Sequence, residues 1–420
     1  MTGNTRLGIK RYRLAFVATV CLFATWGLVN HASGVVSPQL VAFFDFDPLQ
    51  SALAQTSFGL SYFLFAVPAA LFLRRFGYKL GLVLGLSTLS FGALMLYPAF
   101  SQHLPPFFLA TVIITGTGWA FLETCANPLI VQMGPPETAV RRLNIVQCFY
   151  PVGLLAAAYF GRSITLPDAH VTDAHFAEAV VRPYIVVGLV VLLMAFLIEN
   201  VEFPPVAVER AAKKTRVRDE FRSLLAQPMF RFALAAMAAC MMALVCLWGV
   251  AGEYFRLAVP ELFKSTLDDV SLYLWIACGI GRFAGTGLMF RFDPARLLVL
   301  FSGACLGMAA LAGVTISMSG FAFLIGASFF ISIIFPTIFA GAIRDLGTLT
   351  KSASGLVVTA AGLGGIVGTI VMRVVMLFPA VRFALVVASL CLAVVLAYAV
   401  SAQRSGKAAE DAAEGRAVEA

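Results

Sequence analysis

GTGWAFLETCANPLIVQMGPPETAVRRLNIVQCFYP, residues Gly116–Pro151, decides how the rest of the chain is read. Within an apolar run long enough to cross a bilayer it carries a carboxyl group, Glu123, and an amide, Asn127, one helical turn apart and so on one face. A carboxylate in hydrocarbon is costly unless it is protonated, paired or facing water, and such residues mark pathways and binding sites. Glu123 is therefore expected to line the central cavity of a transporter.

Composition agrees with a bilayer setting. The 420 residues are 60% hydrophobic and 12% charged, with 37 phenylalanines, and the mean hydropathy is +0.91. A soluble surface needs about a quarter charged residues, so this is a polytopic membrane protein. The net charge of +8 sits in short loops between apolar runs. That is the pattern that orients membrane proteins, and no nucleic-acid partner is expected. All eight cysteines fall in or beside apolar runs, with no CxxC pair. They fit neither a disulfide framework nor a metal site, and no cofactor is implied.

Apolar runs and charged breaks predict twelve transmembrane helices, near 14–43, 51–73, 79–100, 106–131, 143–164, 182–200, 231–256, 268–290, 296–318, 321–343, 353–378 and 381–402. The longest break holds VERAAKKTRVRDEFRSLL, with six basic residues. The expected domains are an N-terminal six-helix half (1–200), a linker (201–230), a C-terminal six-helix half (231–404) and a disordered tail (405–420). Both ends share one side, which collects Arg6, Lys10, Arg11, Arg74, Arg75, Lys79, Arg141, Arg142, the linker cluster, Arg291, Arg296, Arg344, Lys351 and Arg404. By the positive-inside rule that side is cytoplasmic. The halves echo each other: ALFLRRFGYKLGL after the second run resembles GLMFRFDPARLL after the eighth, and Pro128 in the fourth matches Pro336 in the tenth.

Several residues join Glu123 as site candidates. Asn127, Asn144 and Gln147 offer the paired donors and acceptors that replace a polar solute's water shell, though amides also tie helices together. Trp26, Tyr62, Tyr150 and Trp248 can stack on the apolar face of a bound solute or simply pack. Arg282, inside the eighth run among glycines, must face the cavity or reach a surface; with Arg75 and Lys79 it is a candidate gating residue. No catalytic triad, metal-ligand spacing or phosphate loop suggests an enzyme.

These motifs resemble the major facilitator superfamily, and within it the fucose and glucose/galactose permeases. The resemblance rests on WGLVN from Trp26, YFLFAVPAALFLRRFGYKLGLVLG from Tyr62, FLETCANP from Phe121 and RRLNIVQCF from Arg141. It continues through GRFAGTGLM from Gly281, FFISIIFPTIFAGAIRDLG from Phe329 and KSASGLVV from Lys351. It implies a monomeric, proton-coupled importer of a neutral monosaccharide in the inner membrane, with Glu123 as a protonatable group. An uncoupled sugar facilitator, or a carrier of another small amphipathic solute, is the alternative. The family's first-span aspartate falls at Gly34, and Tyr150 stands where an amide is expected; Leu244 and Val245 replace a polar residue in the seventh run. His31, one turn before Gly34 and beside the candidate ligand Asn30, either carries the proton in the aspartate's place or is a neutral packing histidine. The superfamily's aspartate before Arg75 is replaced by Arg74, so the charge pair at that turn must be altered or absent.

Overall fold

The computed structural model describes residues 13–43, 48–102, 104–161, 181–203, 216–260, 270–378 and 380–418. Among them the chain is helical throughout and makes twelve spans. Span one is Arg13–Phe43. Spans two and three form the continuous element Pro48–Leu94, broken only at Gly77. There φ is 83°, a left-handed value that glycine adopts without steric cost, and it turns the chain back. Span four is Pro105–Gln132, and span five is two helices in line, Ala139–Gln147 and Phe149–Gly161. Span six is Arg182–Asn200. After the linker helix, Val217–Ala226, span seven is Pro228–Gly249 continued by Ala251–Ala258. Spans eight and nine are Val270–Leu288 and Pro294–Val314. Span ten joins Met318–Ile331 to Ile334–Ile343, span eleven is Thr350–Leu377, and span twelve is Val381–Val418.

Local sequence explains many of these ends. Spans four, seven and nine begin at proline, where the missing N–H costs nothing. Asp293 caps span nine by accepting from the Arg296 amide at 3.1 Å, and Ser317 caps span ten. Two expectations change. Span five starts at Ala139 rather than 143, because RRLN lies inside its first turns, where Arg can be helical and still reach water. The tail expected to be disordered is helical through Val418; its Ala, Glu and Lys residues are strong helix formers even without an apolar face.

Packing displays the twofold repeat, each span matching the one six later. Spans one and five cross where Gly27 and Gly153 meet: a Cβ on Gly153 would lie 1.8 Å from the Ala24 carbonyl oxygen. Spans seven and eleven cross the same way, a Cβ on Gly364 falling 2.0 Å from the Ala238 oxygen. Spans three and six pair through Ser90, whose hydroxyl donates to the Gly188 carbonyl at 2.8 Å, as spans nine and twelve pair in the other half. Spans six and twelve turn apolar stripes outward: Leu189, Leu193 and Phe196 in one, Phe383, Val386 and Leu390 in the other. Exposed residues of this kind at helical spacing belong against lipid.

The halves meet along spans two and eleven, and along span five against spans eight and ten. On the face where span one begins and span twelve ends, several polar contacts cross this seam. Lys351 lies over the Tyr78 ring at 5.3 Å and Arg141 over Phe290 at 4.6 Å. These contacts tie the halves together on that face.

Candidate functional site

Glu123 and Asn127 project from span four on one face, as their spacing requires, and both are buried. The Asn127 amide donates to Glu123 Oε1 at 2.5 Å and to the Glu123 carbonyl at 3.2 Å. Its own Oδ1 accepts from Gln147 Nε2 of span five at 3.0 Å. Three buried side chains thus form one directed chain, Gln147 to Asn127 to Glu123. An ionised carboxylate only accepts, whereas a protonated one also donates. A single proton on Glu123 therefore changes which hydrogen bonds this chain can make.

Two prolines extend the site across the seam. Pro151 has no N–H, so the carbonyl of Gln147, four residues earlier, is released from the helix ladder. Pro336 releases the carbonyl of Ser332 in the same way. Arg282 takes both: Nε donates to the Ser332 oxygen at 2.9 Å and Nη1 to the Gln147 oxygen at 3.3 Å. Its fork thus joins span eight to span ten of its own half and to span five of the other, within electrostatic range of Glu123. Pro128 does the equivalent for span eleven, freeing the Thr124 carbonyl that accepts from the Ser354 hydroxyl at 2.9 Å.

Other bonds line the seam. Asn144 Nδ2 donates to the Val140 carbonyl at 2.9 Å and to Thr337 Oγ1 at 3.3 Å, and its buried Oδ1 has no partner among the described residues. Cys148 Sγ is 3.4 Å from Thr286 Oγ1. Trp26 stacks on Phe23 and Trp119, each with centroids 5.3 Å apart, and meets Tyr150 edge-on at 6.5 Å. Tyr62 and Tyr150 lie within electrostatic range of Glu123.

Residues 15–369 match the sequence profile of the Major Facilitator Superfamily. The chain belongs to this superfamily. It is accordingly a multi-pass membrane transporter and not an enzyme. It is 30% identical to the L-fucose-proton symporter of Haemophilus influenzae, over 94% of this chain and 98% of that one. It is 28% identical to the glucose/galactose transporter of Brucella abortus, over 85% and 87%. The crystal structure of the superfamily transporter FucP in the outward conformation superposes with a TM-score of 0.84 at 26% identity, covering 93% of this chain and 99% of that one. The crystal structure of the Escherichia coli fucose:proton symporter FucP bearing one asparagine-to-alanine substitution gives 0.83 at 27%, with the same coverage.

Of the residues singled out from sequence, Glu123, Asn127, Gln147, Arg282, Tyr150 and Trp26 come together around this seam, with Asn144 beside them. Trp248 sits in the second half, its indole donating to Ser328 Oγ at 3.1 Å. Arg75 is exposed over the Phe76 ring of its own turn, and Lys79 is half-buried at that turn. The side chains of Asn30 and His31 lie outside the described residues. Trp119 and Thr337 were not anticipated. A signal existed for each: Trp119 is one turn before Glu123 on the same face, and Thr337 follows the proline that matches Pro128.

Proposed function

We propose that this superfamily member imports a neutral monosaccharide of the fucose or hexose type together with a proton, as a monomer in the inner membrane with both termini cytoplasmic. The relatives named as fucose-proton symporters and glucose/galactose transporters support the solute class. The observation that carries proton coupling is the buried Gln147–Asn127–Glu123 chain beside Arg282. The basic residues on the terminal face support the orientation. Contacts that tie the halves on that face support the outward state of an alternating-access cycle, in which the two halves rock about the site. A proton on Glu123 removes the charge facing Arg282 and permits the loaded carrier to reorient. Its release to the cytoplasm completes the cycle.

Gly34 favours a second reading, an uncoupled facilitator, because it leaves span one without a carboxyl group at the place the resemblance supplies one. The test is uptake of labelled fucose, galactose and glucose at several pH values by cells expressing the parent chain or Glu123→Gln. Gradient-dependent accumulation that collapses in the variant, with exchange partly retained, is expected. Equilibration without accumulation would establish the facilitator, and absence of uptake of all three sugars would defeat the solute assignment.

A further inference from the structure

The linker helix Val217–Ala226 buries only two side chains, Glu220 and Leu224, one turn apart on one face. Leu224 packs into the apolar core, but Glu220 is a charge taken out of water, and its surroundings account for that. Oε1 forms an ion pair with Arg74 Nη2 at 2.7 Å. Oε2 accepts from Ser352 Oγ at 2.6 Å. Arg74 ends span two in the first half, and Ser352 lies in the first turn of span eleven in the second. One carboxylate therefore holds one residue of each half. It also lies by the amide end of a long helix, where an anion is favoured.

We propose that Glu220 is a gating residue of the transport cycle: it fastens the terminal face while the carrier is open to the other side, and must let go before that face can open. The inference rests on the alternating-access reading. Its physical basis is the placement of the bonds. Spans two and eleven face each other across the seam, and the neighbouring Lys351–Tyr78 contact crosses it at the same level. Spans two and eleven cannot part at this point while Arg74 and Ser352 share one carboxylate. When they part, Glu220 and Arg74 both return to water, so the broken state is solvated rather than left with buried charge. A linker surface merely stitched down for stability would use its apolar residues; here the buried polar group binds both moving bodies.

The test uses the purified full-length chain in detergent with Ser354→Cys as reporter. Ser354 is fully buried on the seam, bonded to the Thr124 carbonyl, and becomes accessible only when the terminal face opens. The rate of alkylation by a polar maleimide is measured against the parent chain as blank for the native thiols. Adding Glu220→Gln or Arg74→Gln is expected to raise the rate about tenfold, the equivalent of one hydrogen bond to a charged group. The double variant is expected to be no faster than either single one, since both remove the same pair. Ser352→Ala, which keeps the ion pair, raises the rate less and serves if Glu220→Gln does not fold by size-exclusion. Unchanged rates in the single variants, or effects that multiply in the double, would overturn the proposal. The thiol rate does not depend on the solute, so failure of the sugar assignment leaves this result standing, and equal rates leave the uptake result standing.

Discussion

Pro128 in span four and Pro336 in span ten occupy corresponding places, and each frees a carbonyl four residues earlier. The Thr124 carbonyl receives a hydroxyl from across the seam, Ser354; the Ser332 carbonyl receives a guanidinium from its own half, Arg282. The same divergence recurs nearby. Span five meets span ten through an amide and a hydroxyl, Asn144 and Thr337, whereas the matching contact of span eleven with span four uses a hydroxyl and a carbonyl. Among the described residues, the first half holds the carboxyl group and the three amides of the site. The second contributes Arg282, hydroxyls and carbonyls, while Leu244 and Val245 of its span seven pack against the apolar core. The comparison teaches that the repeat conserves where the halves touch and how the backbone is opened there, while the chemistry is concentrated on one side.

The strongest test of the shared scaffold lies at the glycine crossings. Gly153→Ala and Gly364→Ala each force a Cβ to about 2 Å from a carbonyl oxygen of the facing span. Each is expected to lower stability by about 3 kcal/mol, read as thermal unfolding in detergent. A large loss in one half and none in the other would break the equivalence.

Arg282 tests the division of chemistry. Arg282→Ala removes two bonds to freed carbonyls, and uptake is expected to fall about 30-fold. Lysine should restore little, because a single ammonium group cannot fork to two spans. Full rescue by Arg282→Lys would mean that charge alone matters.

A finer test compares the prolines. Pro336→Ala returns an N–H to the Ser332 carbonyl and competes with Arg282; Pro128→Ala competes with Ser354. Uptake should fall about tenfold in the first and only about threefold in the second, since a bond to a charged group is worth more than a neutral one. Equal effects would show that the freed carbonyls matter only as bends in the helices. The smallest effect is expected for Trp248→Phe, which loses one indole bond to Ser328 and about 1 kcal/mol of stability. A changed apparent affinity for sugar in that variant would move Trp248 into the binding site.

Sequence revealed most of the scaffold, because apolar runs about 20 residues long have few alternatives to crossing a bilayer. Spacing also exposed the Glu123–Asn127 face and the Asn144–Gln147 pair. It was silent where partners come from distant spans. Nothing in the periodicity of the linker singles out Glu220 among its charged neighbours, and the sequence pointed to Arg75 and Lys79 at a turn where Arg74 makes the ion pair. That pair was expected to be altered or absent; it is altered, its acid supplied from the linker. Hydropathy likewise missed the first turn of span five and the helical tail, since helices that reach water do not need apolar residues.

The position of Glu220 has a consequence for how such a chain can diverge. Among the described residues, the other contacts named across the seam lie on or beside repeated spans, so a change there has a counterpart position six spans away. The linker has no counterpart. A substitution at Glu220 alters the fastening of one face without an echo in the other, so the ease of opening can be inherited and selected as a trait separate from the identity of the cargo.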